Sequence, residues 1–189
     1  MIFGGASLED LHDRIAQIPY GLQVFLAVLV ADLSQYGVHR IFHEVPFLWR
    51  FHSVHHSTRT MDWLAGSRLH LIDVVFTRMV VFLPLYALGF HNSVLMAYVA
   101  IVAVQAVLNH TNTRLPFRLL EWFIVSPRIH HWHHSVLPRA HNKNYCVHFS
   151  WIDRIFGTYY APKDEWPSEV GLEGFSFPKG YLKQFMYPF

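Results

Sequence analysis

The sequence predicts an all-α integral membrane domain: about three transmembrane helices, one span followed by a hairpin, under a cytoplasmic helical cap that carries clustered histidines. Three observations support this. Hydrophobic residues make up 52% of the 189 positions and charged residues 15%, with a mean hydropathy of +0.21, whereas a soluble domain carries about 25% charge. Apolar runs of bilayer length alternate with polar stretches. Of the fifteen histidines, eight recur in three elements at helical spacing.

The length suits one domain over 1–189, with a core at 28–160 and an aromatic, Pro-rich tail at 161–189. A net charge of +2, spread over scattered arginines, argues against a nucleic-acid partner. Cys146 is the single cysteine, which excludes an internal disulfide and a thiolate cluster. Any metal is therefore held by nitrogen and oxygen. The opening residues lack the basic n-region of a signal peptide and lead into Glu9, Asp10 and Asp13.

In chain order, Leu8 to Ile18 reads as an amphipathic helix with Ser7 as N-cap and Asp10 as its capping-box partner. Pro19 and Gly21 break the chain before the first span, Tyr20 to Val38. Asp32 lies late in that span, on the face that leads to His39 and His43. An acid in an apolar helix marks a functional site, and its expected task is to accept an imidazole N–H. Pro46 opens a helix that runs to Ser57.

Leu71 to Phe90 and Ser93 to Leu108 form the two arms of the hairpin, joined by a turn at 89–92. Asp73 and Arg78 weaken the first arm, and Pro84 kinks it. The second arm ends at Asn109 and His110, level with the earlier histidines; His70, at the mouth of the first arm, is either a ligand or an orienting group. Arg40, Arg50, Arg59, Arg68, Arg114, Arg118, Arg128 and Arg139 share one side, opposite the acidic N-terminal segment. That asymmetry places the histidine-rich face in the cytoplasm. Ser126-Pro127 starts a further helix, which must end before Pro138. Asn144 and Asp153 follow as candidates to orient ligands, and the tail either lies at the membrane interface or wraps the domain.

The histidines carry the chemistry. His52, His55 and His56 form one His-x-x-His-His pattern and His130, His133 and His134 a second, while His39 and His43 stand one helical turn apart. Even in so histidine-rich a chain, chance supplies on the order of 0.1 such triplets. Residues three and four apart share a helix face, so each triplet is expected to aim its imidazoles at one point. His131 points elsewhere and is expected to be structural. With His110 the candidates are too many for one ion, so two metals are implied. Imidazole suits zinc, copper, iron and nickel alike. An all-nitrogen dinuclear site at the mouth of apolar helices suits oxygenase chemistry on a lipid chain.

On these residues the chain resembles the fatty acid hydroxylase/sterol desaturase superfamily, membrane enzymes with a histidine-bound non-haem di-iron centre. The resemblance rests on Asp32, His39-Arg-Ile-Phe-His43, His52-Ser-Val-His55-His56, Arg68-Leu-His70, Asn109-His110, His130-His-Trp-His133-His134, Asn144-Tyr145 and Asp153-Arg-Ile-Phe-Gly157. It implies that His39, His43, His52, His55, His56, His110, His130, His133 and His134 are ligands to two irons, for which zinc can substitute. Gln105 and Asn109 stand where fatty acid 2-hydroxylases carry histidines, so the chain is more similar to the sterol desaturase branch. The implied reaction takes dioxygen and two electrons from an external donor, a small cytochrome or a ferredoxin with its reductase. It removes hydrogen from an unactivated C–H bond of a lipid and leaves an alcohol or an alkene. The implied location is a bacterial inner membrane, or the endoplasmic reticulum in a eukaryote. Met61 and Trp63 are the candidates for lining the lipid path.

Two rival readings remain at this level. A zinc-dependent hydrolase needs a glutamate base, and Glu44 is the candidate, although the His-Glu-x-x-His pattern is absent. A metal transporter needs ionisable residues along several spans, whereas these histidines gather on one side.

Overall fold

The computed structural model describes residues 7–114, 118–174 and 177–189. The opening residues, on which the signal-peptide expectation partly rests, lie outside them. Among the described residues eight α-helices form: α1 (Leu8–Ala16), α2 (Tyr20–Glu44), α3 (Pro46–His56), α4 (Leu71–Ala87), α5 (Asn92–His110), α6 (Pro127–His133), α7 (Ser150–Ile155) and α8 (Tyr181–Phe185). Among the described residues there is no strand, only one isolated antiparallel bridge between Ser135 and Val170.

The helix boundaries follow local chemistry. Ser7 and Asp10 close a reciprocal capping box on α1. Pro46 starts α3, and at α6 the Ser126 hydroxyl accepts the Ile129 N–H while Pro127 takes the first helical position. Gly89 turns the chain between α4 and α5 at φ +78°, where an added Cβ would collide with the His12 ring.

The first span continues past Val38 without a break, so α2 carries His39 and His43 out of the apolar zone on one rigid rod. α2 is also the axis of the fold. α4 and α5 both pack on it, and Ala27, Val28 and Ala31 meet Val81, Leu85, Val94, Leu95 and Tyr98 in a shared core. The two arms of the expected hairpin thus lean chiefly on α2 rather than on each other.

The outward faces of these helices are apolar: Phe25 and Leu33 on α2, Val75, Met79 and Leu83 on α4, and Met96 and Val104 on α5 are exposed. Such a belt on a histidine-capped bundle is the surface a lipid bilayer covers. α2 and α5 are long and apolar enough to cross a membrane. α4 has 17 residues, about 26 Å at 1.5 Å per residue, against a bilayer core of about 30 Å.

The tail wraps the domain. Trp132 donates to the Glu165 carbonyl at 3.1 Å, the Gly171 N–H to the His134 carbonyl at 3.0 Å, and the Phe189 ring stands 5.8 Å from Phe51.

Candidate metal centre

Nine imidazoles converge at the cap end of α2 and α5, in two groups. The nitrogens of His39, His43, His52, His56 and His133 lie within 4.8 Å of one another, as do those of His55, His110, His130 and His134. This corrects the expectation that each triplet serves one point. Pairs spaced i, i+4 stay together: His39 with His43, His52 with His56, and His130 with His134. The i+3 member of each triplet crosses over, so His55 leaves α3's own group and His133 leaves α6's. At about 100° per residue, i+3 and i+4 fall on opposite sides of residue i. Where α3 and α6 face each other, each therefore sends one imidazole into the other's cluster.

Hydrogen bonds on the far side of five of these rings define what points inward. Nδ1 of His39 meets the Tyr145 carbonyl at 2.7 Å, that of His55 the Arg68 carbonyl at 3.2 Å, that of His110 the Ala106 carbonyl at 2.7 Å and that of His133 the Lys143 carbonyl at 2.7 Å. Carbonyls only accept, so these Nδ1 atoms carry the proton and each Nε2 presents a lone pair. His52 Nδ1 donates in the same way to the Asp73 carboxylate at 2.7 Å.

The consequence is an electrostatic conflict within the protein alone. Nε2 of His39 and of His52 face each other at 3.0 Å, and those of His55 and His110 at 3.3 Å. Two lone pairs directed at each other repel unless a cation lies between them. Nε2 of His43, His56 and His133, and Nδ1 of His130 and His134, are buried without a hydrogen-bond partner, a state that is rare in folded proteins. Burial holds His55, His56, His130, His133 and His134 well below the ordinary imidazole pKa, and neighbouring imidazoles depress them further. Neutral rings with bare nitrogens are the form that binds a metal ion, so both groups fit one.

A family model described as fatty acid hydroxylase matches residues 24–158. The chain belongs to the fatty acid hydroxylase family. Curated relatives include the ornithine lipid hydroxylase OlsE of Rhizobium tropici, 34% identical over 92% of this chain and 52% of that protein. The alkylglycerol monooxygenase of Danio rerio is 30% identical over 86% of this chain and 36% of its own length. Methylsterol monooxygenase 1-2 of Arabidopsis thaliana is 28% identical over 72% and 46%. The chain thus spans about half or less of the length of these relatives. No solved structure matches it significantly.

In this member of the fatty acid hydroxylase family, several residues expected to touch the ligands act one layer further out. The Asp32 carboxylate, fully buried, accepts the backbone N–H groups of Val147, His148 and Phe149 at 2.6–3.2 Å, and no imidazole. Asp153 accepts the N–H groups of Tyr145 and Cys146. The Asn109 side chain donates to the Val147 carbonyl, and Asn144, at φ +59°, donates to the Ile129 and Tyr160 carbonyls. Together they clamp the segment 143–149, whose carbonyls at Lys143 and Tyr145 hold His133 and His39. Unpaired amides buried beside the cap would cost about 1–3 kcal/mol each, so polar residues collect here.

His70 stays outside both clusters: it caps α4 by accepting the Ile72 N–H and donates to the Phe185 carbonyl. His131 donates to the Thr111 carbonyl and faces Trp166 edge-on, a structural role as expected. Asp73 is the residue the sequence reading passed over, treating it as a weakness in an apolar arm. Like Asp32 it is an acid in an apolar helix, but its imidazole partner, His52, lies on a different helix, and the sequence does not pair the two.

A cavity of about 300 Å³ opens onto the larger cluster, lined by His43, His56 and His133 with Trp49, Ser135 and Leu172. The Trp49 ring centroid is 5.0 Å from that of His43 and 5.2 Å from that of His56. Of the expected lining, Met61 borders a neighbouring cavity beside His131, which shares Leu172 with this one, and Trp63 is 61% exposed. The four-histidine cluster borders none of the described cavities.

Proposed function

We propose that this chain is the oxygenase unit of a membrane-bound lipid hydroxylase or desaturase, with the nine clustered histidines as ligands to two irons, and zinc able to substitute. The observation that carries this reading is the pair of head-on Nε2 contacts, His39 to His52 and His55 to His110, with both Nδ1 protons of each pair already committed outward. When bound, two irons supply the reductive activation of dioxygen. For hydroxylation the balance is one C–H bond, O2, two electrons and two protons going to an alcohol and one water. The electrons come from outside the chain, through a small cytochrome or a ferredoxin with its reductase.

The protein's own work is positional. Asp73 and the carbonyls of Tyr145, Lys143, Arg68 and Ala106 set the tautomer and direction of His52, His39, His133, His55 and His110. Burial keeps water from the smaller cluster, and the cavity beside Trp49 and Leu172 lets substrate reach the larger one. The arginine-rich side of the chain supports a cytoplasmic location for this cap, within the single domain over 1–189 that this reading assigns. The relatives act on an ornithine lipid, an alkylglycerol and a methylsterol by their names, so the substrate is a lipid with a polar end. The zinc-hydrolase alternative is weaker, because Glu44 is exposed and paired with Arg40 at 2.8 Å.

Elemental analysis of protein purified in mild detergent from iron-replete cells tests the proposal. Near two irons per chain, falling to about one or fewer in the His133→Ala, His134→Ala double variant, is the expected result. Stoichiometric zinc under iron-replete conditions, or no metal, overturns it.

A further inference from the structure

A second cavity, of about 590 Å³, adjoins the one at the larger histidine cluster, and Leu172 lines both. Its charged lining is all positive: Arg59, Arg68 and Lys179, with Ser57 and Gln184 beside them. Among the described residues no carboxylate lies within ion-pair distance of any of these three cations. Arg68 is half-buried, and its guanidinium meets only neutral acceptors, the Val54 carbonyl at 3.1 Å and the Ser57 hydroxyl at 2.8 Å. A half-buried fork with donors to spare, next to two further cations, is complementary to an oxyanion.

The other side of this cavity is apolar. A third cavity, of about 280 Å³, shares Arg68 and Gln184 with it, and the rest of its lining is mainly apolar, Val54, Leu69, Leu71, Val74 and Phe185, with Ser67, His70 and Tyr181 among them, where α4 begins. Leu69 and Leu71 are exposed there, at the start of α4's lipid-facing surface. An apolar cavity, a cationic pocket and the opening to the histidine cluster thus follow one another through shared walls.

We propose that the Arg59–Arg68–Lys179 pocket binds the oxyanion head group, phosphate or carboxylate, of an anionic lipid substrate. The inference rests on the oxygenase reading above and deepens it: the enzyme recognises its lipid by charge at the polar end, and the carbons presented past Leu172 to His43, His56 and His133 are those close to that end. Neutral lipids with the same chains lack the group that these three cations attract.

The test uses full-length iron-loaded protein in neutral detergent, with binding measured by calorimetry for three probes: dihexanoyl phosphatidic acid, dihexanoylglycerol and inorganic phosphate. The phosphatidic acid is expected to bind at least roughly tenfold more tightly than either of the others, as charge-assisted bonds to arginine provide, and to weaken as salt is raised. The Arg59→Gln, Lys179→Gln double variant alters two exposed side chains, so it leaves the fold intact. It is expected to lose most of that preference at unchanged iron content, and Arg68→Gln to lose it further. Equal binding of the charged and neutral lipids, or an unchanged preference in the double variant, overturns the inference. Inorganic phosphate binding as tightly as the lipid overturns the lipid as the source of the anion. Iron content read on the same samples separates this outcome from failure of the oxygenase reading: iron without head-group preference sinks the inference alone.

Discussion

Asp73, in the first turn of α4, holds its carboxylate 2.7 Å from Nδ1 of His52 on α3, with both side chains about 6% exposed. Thr77 donates to the other oxygen of the same carboxylate at 3.2 Å. The bond ties the base of a lipid-facing helix to a ring of the larger cluster. Loss of such an orienting carboxylate typically lowers metal affinity about 10–100-fold. Asp73→Asn keeps the shape and removes the charge, so chelator competition should show one metal released that much more readily while the other holds.

The exchanged i+3 histidines separate the two sites. His134→Ala leaves the smaller cluster with three imidazoles, whereas His133→Ala leaves the larger with four. His134→Ala is therefore expected to lose about one metal per chain outright, and His133→Ala to weaken its site without emptying it. His55→Ala should behave like His134→Ala and unlike the variant of its sequence neighbour, His56→Ala. Metal content per chain, measured before and after dialysis, checks this, and matching losses for His55→Ala and His56→Ala would contradict the partition.

Gly66 leaves room for His110. A Cβ at that position would lie 2.9 Å from His110 Nδ1 and 3.3 Å from the Ala106 carbonyl that Nδ1 bonds. Neither the ring, held in its cluster, nor the α5 backbone can withdraw freely. Gly66→Ala is expected to reduce occupancy of the four-histidine site with that of the five-histidine site retained, again read by metal content.

His148 gives a pH dependence with a defined sign. It is buried outside both clusters, and burial lowers its pKa to about 4. Its unfolded value is about 6.5. Between these values the unfolded chain takes a proton that the folded protein refuses, so stability is undiminished above pH 6.5 and falls as pH drops toward 4. One such residue contributes about 1.4 kcal/mol per pH unit over that window. His148→Phe, which has no proton to take, should lose correspondingly less stability than the parent protein between pH 6.5 and 4.5 in denaturant titrations.

Much of the architecture is written locally. The apolar runs that became α2 and α5, the Ser7 capping box, the Ser126-Pro127 start of α6 and the i, i+4 histidine pairs are all properties of a few adjacent residues, and 3.6 residues per turn converts them into geometry without help from the rest of the chain. The all-helical fold, the histidine-rich cap and the family were accessible at that level.

Asp73, Trp49 and Leu172 were not, because their partners lie on other helices or in the tail. Nor was the work of Asp32, since its sequence position shows its helix face but not which segment packs there; that segment is 147–149. The division of nine histidines into five and four is the clearest case. Spacing determines the angle each imidazole makes on its own helix, and that much the sequence contains. Which cluster an imidazole enters depends on where α2, α3, α5 and α6 stand relative to one another, and that is decided only by the burial of their apolar faces in the folded protein.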